Sequence, residues 1–123
     1  MKQSNIQIRE MVEMHVSQIA KLEELCFTDP WPESSIRDEL TNPLSLWLVA
    51  VDAERVIGYI GSQSVLGEAD ILNVAVDPAY RRCGIAEQLL LRLEGMELQN
   101  QEPLARQTSQ FPHSPNHPFR LEH

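Results

Sequence analysis

Arg81-Arg82-Cys83-Gly84-Ile85-Ala86 sets two guanidinium groups, a thiol and a glycine at the entrance to an amphipathic stretch. Residue types in that order suit a phosphate. The first turn of a helix leaves backbone N–H groups unpaired and carries the positive end of the helix dipole, so an anion placed there finds donors in position. Arg81 and Arg82 add charge, Gly84 lets the backbone approach with no Cβ in the way, and Ala86 stays small one step later. Cys83 also has the setting of an activated nucleophile, a thiol at a helix start beside arginines. A Cys/His enzyme needs a histidine at the thiol, and none is placed there: His15 falls in an early helix, His113 and His117 near the end. Cys83 is therefore read as a small loop residue.

The loop needs a strand before it and a helix after it, and both are written in the neighbouring residues. Ile71-Leu72-Asn73-Val74-Ala75-Val76 is a short β-branched run that predicts a buried strand, ended by Asp77-Pro78. After Gly84, Ile85, Leu89, Leu93 and Met96 recur on one helical face, with Ala86 and Leu90 alongside, so a helix begins near Gly84. Upstream, Ile6 and Ile8 alternate as in a strand. Val12, Val16, Ile19 and Leu22 or Glu23 predict a helix near 11–25. Pro32 suits a first helical turn, and Glu33 to Leu40 predicts a second, short helix stopped by Thr41-Asn42-Pro43. Leu44–Val51 and Val56–Leu66 read as strands joined by a hairpin at Asp52-Ala53-Glu54-Arg55, with Gly58 and Gly61 marking a bulge in the second. The order is β-α-α-β-β-β-α, a mixed α/β (α+β) domain over residues 1–98. From 99 to 120 apolar periodicity stops and Pro103, Pro112, Pro115 and Pro118 appear, which predicts an irregular tail.

A chain of 123 residues makes one small domain. The formal charge of −8 argues against nucleic acid and favours basic peptides as partners. No apolar run approaches the ~20 residues of a membrane span, and Met1-Lys2-Gln3-Ser4-Asn5 lacks a signal-peptide core, so no membrane association and a cytoplasmic location are expected. Cys26 and Cys83 form neither a disulfide framework nor a metal-ligand set, and no metal is predicted. Leu121-Glu122-His123 resembles the start of an expression tag and is set apart from the biology.

The loop resembles the acetyl-CoA signature R/Q-x-x-G-x-G/A of the GNAT N-acetyltransferases. Cys26-Phe27-Thr28-Asp29-Pro30-Trp31-Pro32-Glu33-Ser34-Ser35-Ile36, Glu39-Leu40-Thr41-Asn42-Pro43 and Glu68-Ala69-Asp70-Ile71-Leu72-Asn73-Val74-Ala75-Val76 are similar to the RimI-type branch, which acetylates ribosomal-protein alanine. The resemblance covers roughly residues 6–98 and implies a GNAT fold lacking its C-terminal part; the change at residue 99 resembles what a truncation or frameshift leaves. It implies acetyl-CoA as co-substrate, a protein N-terminal α-amine as acceptor, and a groove for that acceptor shaped near Phe27 to Trp31. It assigns the pantetheine arm to Val74, Ala75 and Val76. The pyrophosphate falls to Arg82, Cys83, Gly84, Ile85, Ala86 and the backbone of Glu87, with Arg81 flanking.

The branch usually draws a glutamate base and a tyrosine acid from segments after the signature helix, and neither is recognisable here. Other GNAT members carry the base on the strand before the loop, which makes Asp70 the candidate and Glu68 its alternate; the plain reading of both is solvated residues at a strand entrance. Tyr80 is expected to pack under the loop and Trp47 to be structural, with Trp31 either core or groove. Two functions follow: an N-acetyltransferase, or a catalytically incomplete CoA-binding fragment or oligomerising module. Missing strands would leave a sheet edge unpaired and apolar surface open, so a homodimer or a sticky monomer is expected.

Overall fold

Turn chemistry decides how the strands meet. Ala53 and Glu54 take positive φ (51° and 74°), the left-handed pair of a two-residue hairpin, and Leu66 and Gly67 repeat it (54° and 82°). The computed structural model describes residues 6–100. Strands β1 (Ile6–Glu10), β2 (Ser45–Asp52), β3 (Arg55–Val65) and β4 (Glu68–Val76) form one antiparallel sheet in the order β1-β2-β3-β4. Helices α1 (Glu13–Cys26) and α2 (Glu33–Asp38) come between β1 and β2, and α3 (Ile85–Asn100) follows β4. The element order is the expected one. The second helix is shorter than predicted, with Glu39–Thr41 forming a separate 3-10 turn, and α3 runs two residues past the expected boundary at 98. The predicted irregular tail and tag otherwise lie outside the described residues, as do His113 and His117.

Two apolar layers cover the sheet. Val16, Ile19 and Leu22 of α1 and Ile36 of α2 pack on Trp47, Val49, Val51, Tyr59, Leu72 and Ala75. Ile85, Leu89 and Leu93 of α3 pack on the other face, against Leu48, Ala50, Ile57, Ile60, Val74 and Val76. Alternation along β2 explains the division directly, whereas β3 and β4 need a phase shift. In β3 it falls beside Gly58, where Ala50 pairs with Gly58 but Val51 with Val56, leaving Ile57 extra. In β4, Gly61 pairs with Asn73 but Ser62 with Ile71, leaving Leu72 extra. The first bulge was expected at Gly58 or Gly61. The second sits on β4, a strand read as regular, and turns Asn73 toward α1 while Ile71 stays with α3. Gly61 is required for a different reason: a Cβ there would lie 2.5 Å from the Trp47 ring.

Candidate functional site

At the end of β4 the chain is pinned before it reaches the arginines. Asp77 Oδ1 accepts from the Ala79 N–H (2.8 Å) and Oδ2 from Arg55 Nη2 (3.2 Å), forming the 3-10 turn Pro78–Tyr80. Tyr80 is buried under this turn, and its hydroxyl donates to Asp52 Oδ2 at 2.6 Å. That hydrogen bond, helped by burial, holds the phenol above its ordinary pKa, so Tyr80 keeps its proton. The two arginines then part. Arg81 folds back, donating from Nε to the Val76 carbonyl (3.3 Å) with Nη2 3.6 Å from Cys26 Sγ, and so braces the loop against the end of α1. Arg82 is exposed, at φ 66°, and Gly84 follows at φ 76°.

This left-handed pair brings the loop round to the start of α3. The Gln88 N–H bonds the Gly84 carbonyl at 3.0 Å, which leaves the N–H groups of Ile85, Ala86 and Glu87 ahead of the helical ladder. A cavity of about 670 Å³ opens there, lined by Val76, Tyr80, Arg81, Arg82, Gly84, Ile85, Ala86 and Glu87. Beyond its immediate chain neighbours, no atom of the described residues stands within 4 Å of where a Gly84 Cβ would be, so the approach to the backbone is open. The loop therefore gathers most of the predicted binding residues. Cys83 is half-buried, its Sγ 3.7 Å from the Arg81 carbonyl, and does not line the cavity. Val74 and Ala75 are buried in β4 with side chains in opposite core layers, so neither side chain is available to a ligand.

Asp70 is not at the loop. It stands six residues before Val76, a span of roughly 20 Å at strand rise, opposite Gln63 and half-exposed. Cross-strand partners share a face. Gln63 Nε2 donates to Glu39 Oε1 (3.1 Å), so Asp70 lies on the α1–α2 side, and Glu68 starts the same strand opposite Val65. On that side a second hollow of about 360 Å³ is lined by Asp29, Pro30, Trp31, Pro32 and Ser35. Trp31 meets Trp47 edge-on at 5.4 Å, and Trp47 stacks on Tyr59 at 5.9 Å. Trp47 is buried and donates from Nε1 to Glu39 Oε1 (3.1 Å), a structural role, whereas Trp31 is half-exposed and serves both packing and hollow.

Sequence reasoning missed the role of Glu23. This fully buried carboxylate accepts from the Trp31 backbone N–H at Oε1 (2.7 Å), and from Asn73 Nδ2 (2.5 Å) and the Tyr59 hydroxyl at Oε2. Burial, then the adjacent Glu23 charge, push the Tyr59 phenol well above its usual range. An uncompensated buried carboxylate costs several kcal/mol, so this donor set is what allows it. The available signal was spacing, since Glu23 falls on the stripe of Val16 and Ile19. Among the described residues no cluster of His, Cys, Asp and Glu is arranged to hold a metal ion, and no helix is long and apolar enough to cross a membrane.

Strand, arginine-glycine loop and helix start, on an antiparallel sheet with helices on both faces, define an acyltransferase architecture, and the chain belongs to the GNAT acetyltransferase family. Residues 16–102 match the group described as Acetyltransferase (GNAT) family. Among curated relatives, the chain is 36% identical over 81 residues to N-alpha-acetyltransferase RimI of Mycobacterium tuberculosis, covering 60% of this chain and 51% of that one. The fold is similar to that of the ribosomal-protein-S18-alanine N-acetyltransferase from Escherichia coli (TM-score 0.70, 23% identity, covering 77% of this chain and 61% of that one). It is similar also to the GNAT family N-acetyltransferase YhbS from Escherichia coli in complex with CoA (TM-score 0.66, 26% identity, 76% and 56% covered). The chain spans about half the length of the curated relatives it matches.

Proposed function

We propose that this protein binds acetyl-CoA and transfers its acetyl group to the α-amine of a protein N-terminus, a ribosomal-protein alanine being the favoured acceptor. The carrying observation is the cavity at the start of α3, where Arg82 and Gly84 turn left-handed and three leading N–H groups are unladdered. The pyrophosphate sits at Arg82, Cys83, Gly84, Ile85, Ala86 and Glu87 with Arg81 flanking, and the pantetheine arm runs along the backbone of Val74, Ala75 and Val76. The names of the relatives support the acceptor class. The GNAT-like acetyl-CoA-binding domain is residues 1–98, followed by the 99–120 tail and the tag remnant 121–123, and the expected compartment is the cytoplasm.

The chemistry asks little of the protein beyond placement. The amine lone pair attacks the thioester carbonyl, a C–N bond forms, the C–S bond breaks, and the thiolate leaves with a proton. Holding the reactants together supplies several kcal/mol. An α-amine with a pKa of about 7.7–8.0 is roughly a tenth free at neutral pH, whereas lysine near 10.4 is almost wholly protonated, so an N-terminal acceptor needs only modest base assistance. Asp70 is the proposed base, on the face that carries the Asp29–Ser35 hollow, where the acceptor enters. The test is paired: ligand-dependent melting with acetyl-CoA, and mass analysis of a basic peptide beginning with alanine. A melting shift with one added acetyl group per peptide is expected. Absence of any shift sinks the acetyl-CoA site, and a shift without acetylation sinks the enzyme while keeping the site.

A further inference from the structure

Glu23 has no part in the transfer outlined above, yet it is buried and gathers donors from separate elements. Its oxygens are divided. Oε1 holds the Trp31 N–H, in the wall of the Asp29–Ser35 hollow, while Oε2 holds Asn73, the residue before Val74 on β4. The Tyr59 hydroxyl also donates to Oε2 and fixes the carboxylate from β3. Asn73 Oδ1 is buried with no hydrogen-bond partner among the described residues, so the carboxamide is oriented through its amino group, on Glu23. A core that needed only stability is served as well by packed apolar side chains.

We propose that Glu23 is a positioning residue for acyl transfer, one oxygen holding the acceptor hollow at Trp31 and the other holding β4 at Asn73, so that it sets the distance between acceptor and thioester. This rests on the N-acetyltransferase reading given above. The Glu23→Leu variant tests it, because the leucine side chain accepts from neither the Trp31 N–H nor Asn73 Nδ2, so both ties are lost together. A second variant, Leu93→Ala, opens a cavity under α3 two turns beyond the proposed site and controls for lost stability alone. Calorimetry with acetyl-CoA, backbone exchange of the Trp31 amide, and kcat and KM for the alanine peptide are measured on all of them.

In Glu23→Leu the acetyl-CoA affinity stays within about threefold of the parent while Trp31 exchange rises and peptide kcat/KM falls by at least about tenfold, the worth of a hydrogen bond to a charged group. Leu93→Ala lowers the melting temperature but leaves Trp31 exchange and kcat/KM near the parent values. Parent-like kcat/KM in Glu23→Leu overturns the positioning role and leaves the enzyme standing, as does an equal fall in Leu93→Ala. No transfer by the parent chain itself, with acetyl-CoA bound, sinks the enzyme reading and this role with it.

Discussion

Arg81 and Arg82 are adjacent and chemically identical, but their surroundings separate them. Arg81 is tied to the Val76 carbonyl and lies against Cys26 Sγ, so its removal unfastens the loop from α1, whereas Arg82 is exposed in a left-handed conformation beside the cavity. Arg82→Ala is expected to leave the unliganded melting temperature unchanged and abolish the acetyl-CoA shift; Arg81→Ala is expected to lower the unliganded stability by about 1 kcal/mol. A parent-sized shift in Arg82→Ala removes that arginine from the site. His15 makes a pH-dependent contribution at the start of α1, where its Nδ1 accepts from the Val12 N–H at 3.0 Å. Burial and nearby Arg9 hold its folded pKa below the ordinary value, with Glu54 opposing weakly. The unfolded chain therefore takes up the proton first as pH falls, and stability rises with pH through this window. Its contribution is complete above about pH 6.5 and is lost as pH drops through the depressed folded value. Urea melts from about pH 7 to about pH 5 should show this loss, and His15→Gln should flatten it. An equal slope in the variant means that other groups carry the acid response.

At the scale of elements, legibility followed the strength of the local pattern. The strand-loop-helix unit at residues 71–96 was readable because β-branched residues, Asp77-Pro78, Gly84 and a 3.6-residue repeat agree on their boundaries. The β4 bulge was not, because Ile71 to Val76 is buried on both faces and a one-residue change of phase leaves no break in an almost wholly apolar run. Glu23 was visible as a position on the helix stripe but not as a hub, since its donors come from residues eight, 36 and 50 positions away. Local pattern carries no record of such distant pairings. The need for Gly61 is of the same kind: the Trp47 ring on the neighbouring strand occupies the space of a Cβ. Gly61→Ala is expected to destabilise by about 1–3 kcal/mol through overpacking, and Trp47→Phe in the same chain to recover part of that loss. Denaturant melts of both variants decide it; a neutral Gly61→Ala means the indole can move away without cost.

For the molecule as a whole, the sheet order gives β4 a strand neighbour on one side only among the described residues. The two halves of that edge differ. Glu68 and Asp70 place charge on the first half and the Leu72 bulge interrupts pairing beside it, devices that oppose edge-to-edge association. Asn73, Val74, Ala75 and Val76 carry no charge, and each is at most 2% exposed, backbone included. We propose that a homodimer forms by pairing through this half once it is uncovered, and such pairing uses the same backbone proposed to meet the pantetheine arm. Ligand and second copy then compete. By linkage, a ligand that binds only the monomer pulls the equilibrium toward it, by about 2.7 kcal/mol at a hundredfold excess over its dissociation constant. Light scattering over a dilution series should show mass above the 14.0 kDa of one chain at high concentration, falling toward it when acetyl-CoA is added. A monomer at every concentration removes the edge as an interface, and a dimer indifferent to acetyl-CoA places the interface elsewhere or the pantetheine arm off Val74 to Val76.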